Sequence, residues 1–427
     1  MPKQLRTAIV GQLHDYRKAL TLFGDNAKSY LLSGFLQGLG AGMLAVVFAI
    51  YIKAAGMSEG VVGGVEAAVA FAAAIVCLVG APLVAKVGYR GMLVGALALI
   101  IGARLGQAAL PFTAAMVGCA LAIGLGDGFM RAISSAFLSH NSKGEERTHL
   151  FSTDFVTRMM SGFVGGLAGG FLPTMLQHFH VTEVSSYQWT IVAGTLVMAC
   201  GLLPMLRIKE PKEDAKSVRD AYVESFRHFR EWKQVGKLIL PQAFISLGGG
   251  LVIPFVPLYL KHWLHADISQ IGMIQALASV VLGFVTFGTP VIARKFGLVK
   301  GVAMMQLASV PFLALVPFAG TLWVAVAFLW TRNACMNMAG PMYNQFSMEG
   351  ISAKDKPLVA GWMFFALNVM WMFGNLIGGR LMEINYTAPY PLAVACYATG
   401  AIGTYLMWRK SPAAAHGMRP QVEAAAA

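Results

Sequence analysis

The stretch Gly80-Ala81-Pro82-Leu83-Val84-Ala85-Lys86-Val87-Gly88 returns as Gly288-Thr289-Pro290-Val291-Ile292-Ala293-Arg294-Lys295-Phe296-Gly297. Each copy follows a long apolar run, turns at a proline and ends in basic residues closed by a glycine. Pro82 and Pro290 stand 208 positions apart in a chain of 427. A period that long indicates a duplicated domain and not a solenoid of short repeats. The offset recurs elsewhere. Tyr51-Ile52-Lys53 matches Tyr259-Leu260-Lys261, and Gly40 and Gly42 match Gly248 and Gly250. Gly165-Gly166-Leu167-Ala168-Gly169-Gly170 matches Gly374-Asn375-Leu376-Ile377-Gly378-Gly379.

The duplicated unit is apolar. The chain is 57% hydrophobic and 12% charged, about half the charged fraction of an ordinary soluble domain. Twelve runs of spanning length indicate an all-α membrane protein. They cover approximately 29–54, 60–84, 91–111, 113–138, 149–175 and 187–206, then 238–261, 268–293, 298–318, 321–348, 358–381 and 389–408. Their length and lack of strict alternation exclude a transmembrane barrel. Six spans per repeat, an even number, give two parallel six-helix repeats about an axis along the membrane normal. The expected organisation is an amphipathic segment 1–28, a six-helix half 29–206, a linker 207–237, a second half 238–408 and a tail 409–427. In the first segment Leu5, Ile9, Leu13, Tyr16, Leu20 and Phe23 fall on one helical face, with Arg6, Arg17 and Lys18 elsewhere on it.

Charge sets the orientation. Of 33 Lys and Arg, 26 fall in the two termini, the linker and the loops on the same side as these. Basic loops stay in the cytoplasm, so both termini and the linker are expected there, most simply in a bacterial inner membrane. The net charge of +13 therefore reflects topology, and no nucleic-acid partner is expected. The partners expected are the bilayer and a small-molecule or ion substrate, with the protein a monomer or weak oligomer. The five cysteines lie in apolar runs without Cys-x-x-Cys spacing and read as small buried hydrophobes. No nucleophile–base pattern, phosphate loop or zinc spacing occurs, so no enzyme activity, cofactor or resident metal is expected.

These features resemble the major facilitator superfamily over nearly the whole chain. The family's loop between spans two and three typically reads Gly, three residues, Asp, Arg, any residue and Gly, then basic residues. Gly80 with Ala81, then Lys86, Gly88 and Arg90 match that pattern, while Ala85 replaces the acid. The copy between spans eight and nine keeps Arg294, Lys295 and Gly297, also without an acid. The resemblance thus implies the family fold but not its usual ion-pair latch at this loop. Gly165, Gly169 and Gly170 resemble the family's antiporter motif in span five, with Gly166 at the expected proline and Ser161 at the earlier glycine. Close helix packing is the plainer meaning of such spacing.

Charged residues inside spans are costly and are functional candidates by default. Asp127 and Arg131 in span four, and Asp154 and Arg158 in span five, are each four apart and able to pair. At similar depth, they are expected to form one four-member network, either structural glue or a proton-responsive gate. Glu66 and Arg104 are expected to pair, with Glu66 a further candidate proton carrier. Arg332 in span ten lacks a nearby acid; it pairs across a cavity with one such as Asp127, receives an anionic substrate group, or bonds to helix carbonyls. Gln37, Gln275, Asn337 and Asn368 are candidate ligand contacts.

The expected function is secondary transport by alternating access, with proton-coupled antiport of a small organic solute. One alternative is a metal ion or a metal chelate such as iron, resting on 24 methionines and on His178, His180 and Glu183 in one loop. The other is a non-transporting sensor or scaffold of the same fold.

Overall fold

The computed structural model describes residues 23–142, 145–209, 229, 231–286, 288–349, 351–352 and 355–409, without the side chains of 78–86, 135–136, 140, 145–146 and 148. The amphipathic face Leu5–Leu20, linker residues 210–228 and the tail after 409 lie outside the described residues. So do the side chains at Gly80 and Lys86.

Twelve long helices stand in the described residues. In the N-terminal half they are α1 (Asp25–Ala54), α2 (Glu59–Val87), α3 (Tyr89–Ala109), α4 (Thr113–His140), α5 (Glu145–His178) and α6 (Glu183–Cys200). In the C-terminal half they are α7 (Trp232–Val252), α8 (Ile268–Thr286), α9 (Leu298–Leu315), α10 (Leu322–Ser347), α11 (Lys356–Ile384) and α12 (Pro389–Trp408). Among the described residues, ten helical stretches are long and apolar enough to cross a membrane. Neither α10 nor α12 is among them. The polar group Arg332, Asn333, Asn337, Asn344 and Gln345 lies in α10; glycine, tyrosine, threonine and proline interrupt α12. Helix α7 starts at Trp232, inside the stretch 207–237 assigned to the linker.

The halves repeat one packing scheme. In the first, α1 packs on α5 and α6, α4 on α2 and α3, and α3 on α6; in the second, α7 packs on α11 and α12, α10 on α8 and α9, and α9 on α12. Hydrogen bonds repeat too. Tyr51 Oη donates to the Ala108 carbonyl at 3.3 Å, and Tyr259 Oη to the Val316 carbonyl at 3.0 Å, both spanning 57 residues. The two copies of the quoted stretch end alike: Gly88 has φ 81° and ψ 163°, and Gly297 φ 77° and ψ 168°. That region of backbone space is essentially closed to residues with a Cβ. The glycine is therefore what lets a basic turn join two antiparallel helices at both places.

One departure breaks the symmetry. Where α1 runs unbroken to Ala54, the chain after α7 passes through a 3-10 turn (Ile253–Phe255), a short helix (Val256–Leu258) and a π turn (Tyr259–Trp263). Pro254 and Pro257 remove the amide hydrogens that a continuous helix needs there.

The halves meet through α2 with α11 and α5 with α8. These are one contact seen twice. A Cβ on Gly170 would stand 2.7 Å from the Gly272 Cα, and one on Gly379 3.1 Å from the Gly63 Cα. Both crossings lie near the end of the bundle opposite the chain termini. There a single apolar core runs through both halves, from Met43, Tyr51, Val62 and Tyr187 to Leu251, Tyr259, Ile268 and Met382. Toward the terminus-bearing end the core divides. One cluster packs Tyr30, Leu93, Phe137 and Met205 within the first half, and another packs Leu238, Val299, Met342 and Leu358 within the second.

Candidate functional site

A cavity of about 570 Å³ opens in the N-terminal half, toward the terminus-bearing end. Tyr30, Gln37, Asp127, Arg131, Ser134, Asp154 and Arg158 line it. Five of the candidates from α1, α4 and α5 thus share one wall. Glycines bring these helices close enough: Gly128 packs on Ala73 and Val76 of α2, and Gly126 on Ala96 and Ile100 of α3. Asp127 between them is held toward the interior of the bundle.

The expected four-member network does not form. Arg158 Nε donates to Asp154 Oδ2 at 2.9 Å, and its Nη2 to Tyr30 Oη at 3.2 Å. Asp154 Oδ1 remains buried without a partner. Asp127 and Arg131 line the same cavity without an ion pair of their own, although their spacing equals that of Asp154 and Arg158. The difference is tertiary, since Asp127 lies in the field of Arg104 and Glu66.

Glu66 and Arg104 also miss direct contact, against expectation. Arg104 Nη1 donates to Gln107 Oε1 at 3.1 Å, and the guanidinium sits 4.7 Å from the Phe48 ring centroid. Gln107 is itself fixed by donating to the Met116 carbonyl. Arg104 is therefore a positioned cation whose charge reaches Glu66 and Asp127 together.

Arg332 pairs with no acid among the described residues. It is 6% exposed and stacks over Tyr397 with its guanidinium carbon 4.8 Å from the ring centroid, inside the C-terminal half. Of the amides, Gln37 lines the cavity and donates to Ser33 Oγ at 2.8 Å. Asn337 donates back to the Asn333 carbonyl at 2.8 Å, and Asn368 to the Phe364 carbonyl at 2.7 Å. The Gln275 backbone carbonyl accepts from Ser279. Among the described cavities, Gln37 is the one amide candidate brought to the charged wall. Arg90 and Arg294 are exposed at the terminus-bearing end.

Sequence reasoning missed a cluster at the opposite end. Lys53 Nζ and Tyr386 Oη both donate to Glu59 Oε1, at 2.8 and 2.5 Å. Tyr386 stacks on His262 with ring centroids 5.7 Å apart, and Gly60 N donates to Glu383 Oε1 at 3.1 Å. Glu183, which accepts from Tyr187, reaches Lys261 at 3.4 Å. Burial, and then the hydrogen bond to Glu59, push the Tyr386 phenol upward, so it remains a donor at physiological pH. Three of these contacts join the halves: Tyr386 to Glu59, Gly60 to Glu383 and Lys261 to Glu183. The proline-broken chain after α7 was the available signal, because it carries Lys261 and His262 to this point.

No group of three or more His, Cys, Asp or Glu able to hold a metal occurs among the described residues. Glu183 is engaged as described, which leaves His178 and His180 without the carboxylate of the suggested metal set.

Comparison with known proteins agrees with this architecture. The family model described as the Major Facilitator Superfamily matches residues 30–375. Two curated relatives are the MFS-type transporter YdeE of Escherichia coli (strain K12) and the MFS-type transporter YqjV of Bacillus subtilis (strain 168). The first is 19% identical over 166 residues, 39% of this chain and 42% of the relative. The second is 24% identical over 192 residues, 43% of this chain and 46% of the relative. The matched stretches thus span less than half of each relative. Among solved structures, a mutant form of the nucleoside transporter NupG superposes with a TM-score of 0.72 at 12% identity, covering 90% of this chain and 99% of that one. A D-xylose-proton symporter gives 0.67 at 15% identity, covering 93% and 99%.

Proposed function

The chain belongs to the major facilitator superfamily and is an integral, multi-pass membrane protein, and from that premise we propose that it is a secondary transporter exchanging protons for a small organic solute. The observation that carries this reading is one-sided closure. The core is continuous across both halves at one end and split at the other, and the charged cavity lies toward the split. Alternating access requires such a state together with its opposite. By the distribution of basic residues, the open end faces the cytoplasm and the membrane is a bacterial inner membrane.

In this reading Asp127 and Glu66 carry the transported proton. The charge of Arg104 reaches both. Arg131 and the Asp154–Arg158 pair gate the cavity. Gln37 and Arg332 contact the solute, with Asn337, Gln275 and Asn368 joining once their helices reorient. The Glu59–Tyr386, Gly60–Glu383 and Glu183–Lys261 contacts are the outer gate.

Flux of a solute panel into proteoliposomes under an imposed pH gradient tests this. Wild-type flux should follow the gradient, and the double variant Asp127→Asn, Glu66→Gln should lose at least 10-fold of it. Unchanged flux in that variant sinks the coupling assignment. For the gate, Tyr386→Phe should raise labelling of a cysteine introduced at Gly64, where an added Cβ meets open space, by an impermeant reagent added outside. Equal labelling with and without the substitution removes Tyr386 from the gate.

A further inference from the structure

In the C-terminal half Arg332 is a buried cation with no counter-ion among the described residues. Arg332 lies about eleven residues into α10, near the middle of the membrane, and a guanidinium does not shed its proton there. Its stacking on Tyr397 occupies one face of the group and leaves the in-plane N–H groups needing acceptors. The Nε hydrogen has no partner among the described residues. Tyr390, at the start of α12, stands seven residues before Tyr397, two turns along the same helix face. Tyr390 is 1% exposed, and its hydroxyl is also buried without a partner. No hydrogen bond joins it to Tyr259, 5.3 Å away ring to ring, whose own hydroxyl donates to Val316.

Two kinds of donor, one of them positively charged, are therefore left unsatisfied in one interior, over a tyrosine face. The N-terminal half shows the contrast. Arg104 also rests on an aromatic ring, yet it has Gln107 as an acceptor and Glu66 and Asp127 in its field. Among the described residues neither the Arg332 Nε hydrogen nor the Tyr390 hydroxyl has an acceptor, and an anion best offsets a buried cation.

We propose that Arg332 and Tyr390 form a binding site for a small anionic group, a halide or a carboxylate. The group accepts from the guanidinium edge and the phenol O–H, above the Tyr397 ring. This deepens the assignment of Arg332 to solute contact, and it rests on the transport reading only where the anion is cargo.

The test uses full-length protein purified in detergent, with thermal unfolding followed by tryptophan fluorescence. Sodium chloride or sodium acetate replaces sodium gluconate, a bulkier anion, at constant ionic strength. The unfolding temperature of wild type should rise saturably by several degrees. Arg332→Met, similar in length and uncharged, should lose that rise. Tyr390→Phe, which keeps the ring and removes only the hydroxyl, should weaken the apparent affinity at least 5-fold, and it serves alone if Arg332→Met does not fold. A response shared unchanged by wild type and Tyr390→Phe, or one that never saturates, overturns the site. Saturation by chloride but not acetate assigns an inorganic anion, and saturation by acetate assigns the carboxylate of an organic solute. Loss of proton-driven flux with the anion response intact would count against the transport reading and not against this site.

Discussion

The two halves share a skeleton and differ in chemistry. Equivalent helices pack in the same order, Tyr51 and Tyr259 make the same hydrogen bond, and Gly88 and Gly297 adopt the same backbone angles. The interior of the first half holds three acids and three bases: Glu66, Asp127, Asp154, Arg104, Arg131 and Arg158. In the interior of the second, among the described residues, Arg332 stands with amides and aromatic rings. Duplication fixed the packing twice, then, and left polar chemistry free to diverge on each copy. Backbone contacts of this kind tolerate few residue types, whereas a cavity wall tolerates many.

That contrast makes the two buried arginines respond differently to the same change. Arg104→Met removes the cation whose charge reaches Glu66 and Asp127 and leaves the buried Gln107 Oε1 without its donor, a loss of about 1–3 kcal/mol. Arg332→Met, in gluconate buffer, removes a charge that no acid of the chain compensates and should be neutral or stabilising. Urea or thermal unfolding in detergent compares them, and equal losses would end the distinction.

The shared skeleton makes the opposite forecast at the crossings between halves. Gly272→Ala and Gly63→Ala each add a methyl group against a neighbouring backbone, overpacking of about 1–3 kcal/mol. The two losses should agree closely, because the contact is the same one repeated. A large difference would show that the crossings are not equivalent. Smaller still, Tyr51→Phe and Tyr259→Phe each remove one buried hydrogen bond, worth about 0.5–1.5 kcal/mol. Unfolding measurements that separate these two by much more than that would break the equivalence of the far-end packing.

The duplication and helical architecture were legible in the sequence because each rests on backbone demands that leave a residue signature. Glycine with positive φ and small residues at crossings recur at a fixed offset. Spacing served less well for side chains. Asp127–Arg131 and Asp154–Arg158 are the same pattern on paired helices, and only the second closes, since Tyr30 supports Arg158 while Arg104 and Glu66 act on Asp127. The contact between Tyr386 and Glu59 joins residues 327 apart in sequence, and that between Gly60 and Glu383 residues 323 apart. No local pattern announces either. The direction of Arg332 was equally hidden, because it depends on which way α12 presents Tyr397.

The paired glycine crossings have a mechanical consequence. Gly170–Gly272 and Gly63–Gly379 are two points of backbone contact, and a line drawn through them is a natural axle. From Gly170 back to the start of α5 is 25 residues, a lever of roughly 37 Å at 1.5 Å per residue. Turning one half by about 10° about that axle swings the far tip of α5 through roughly 6 Å, while the contacts on the axle hardly slide. A displacement about the width of a small solute can thus be had without unpacking the helices on which the axle rests.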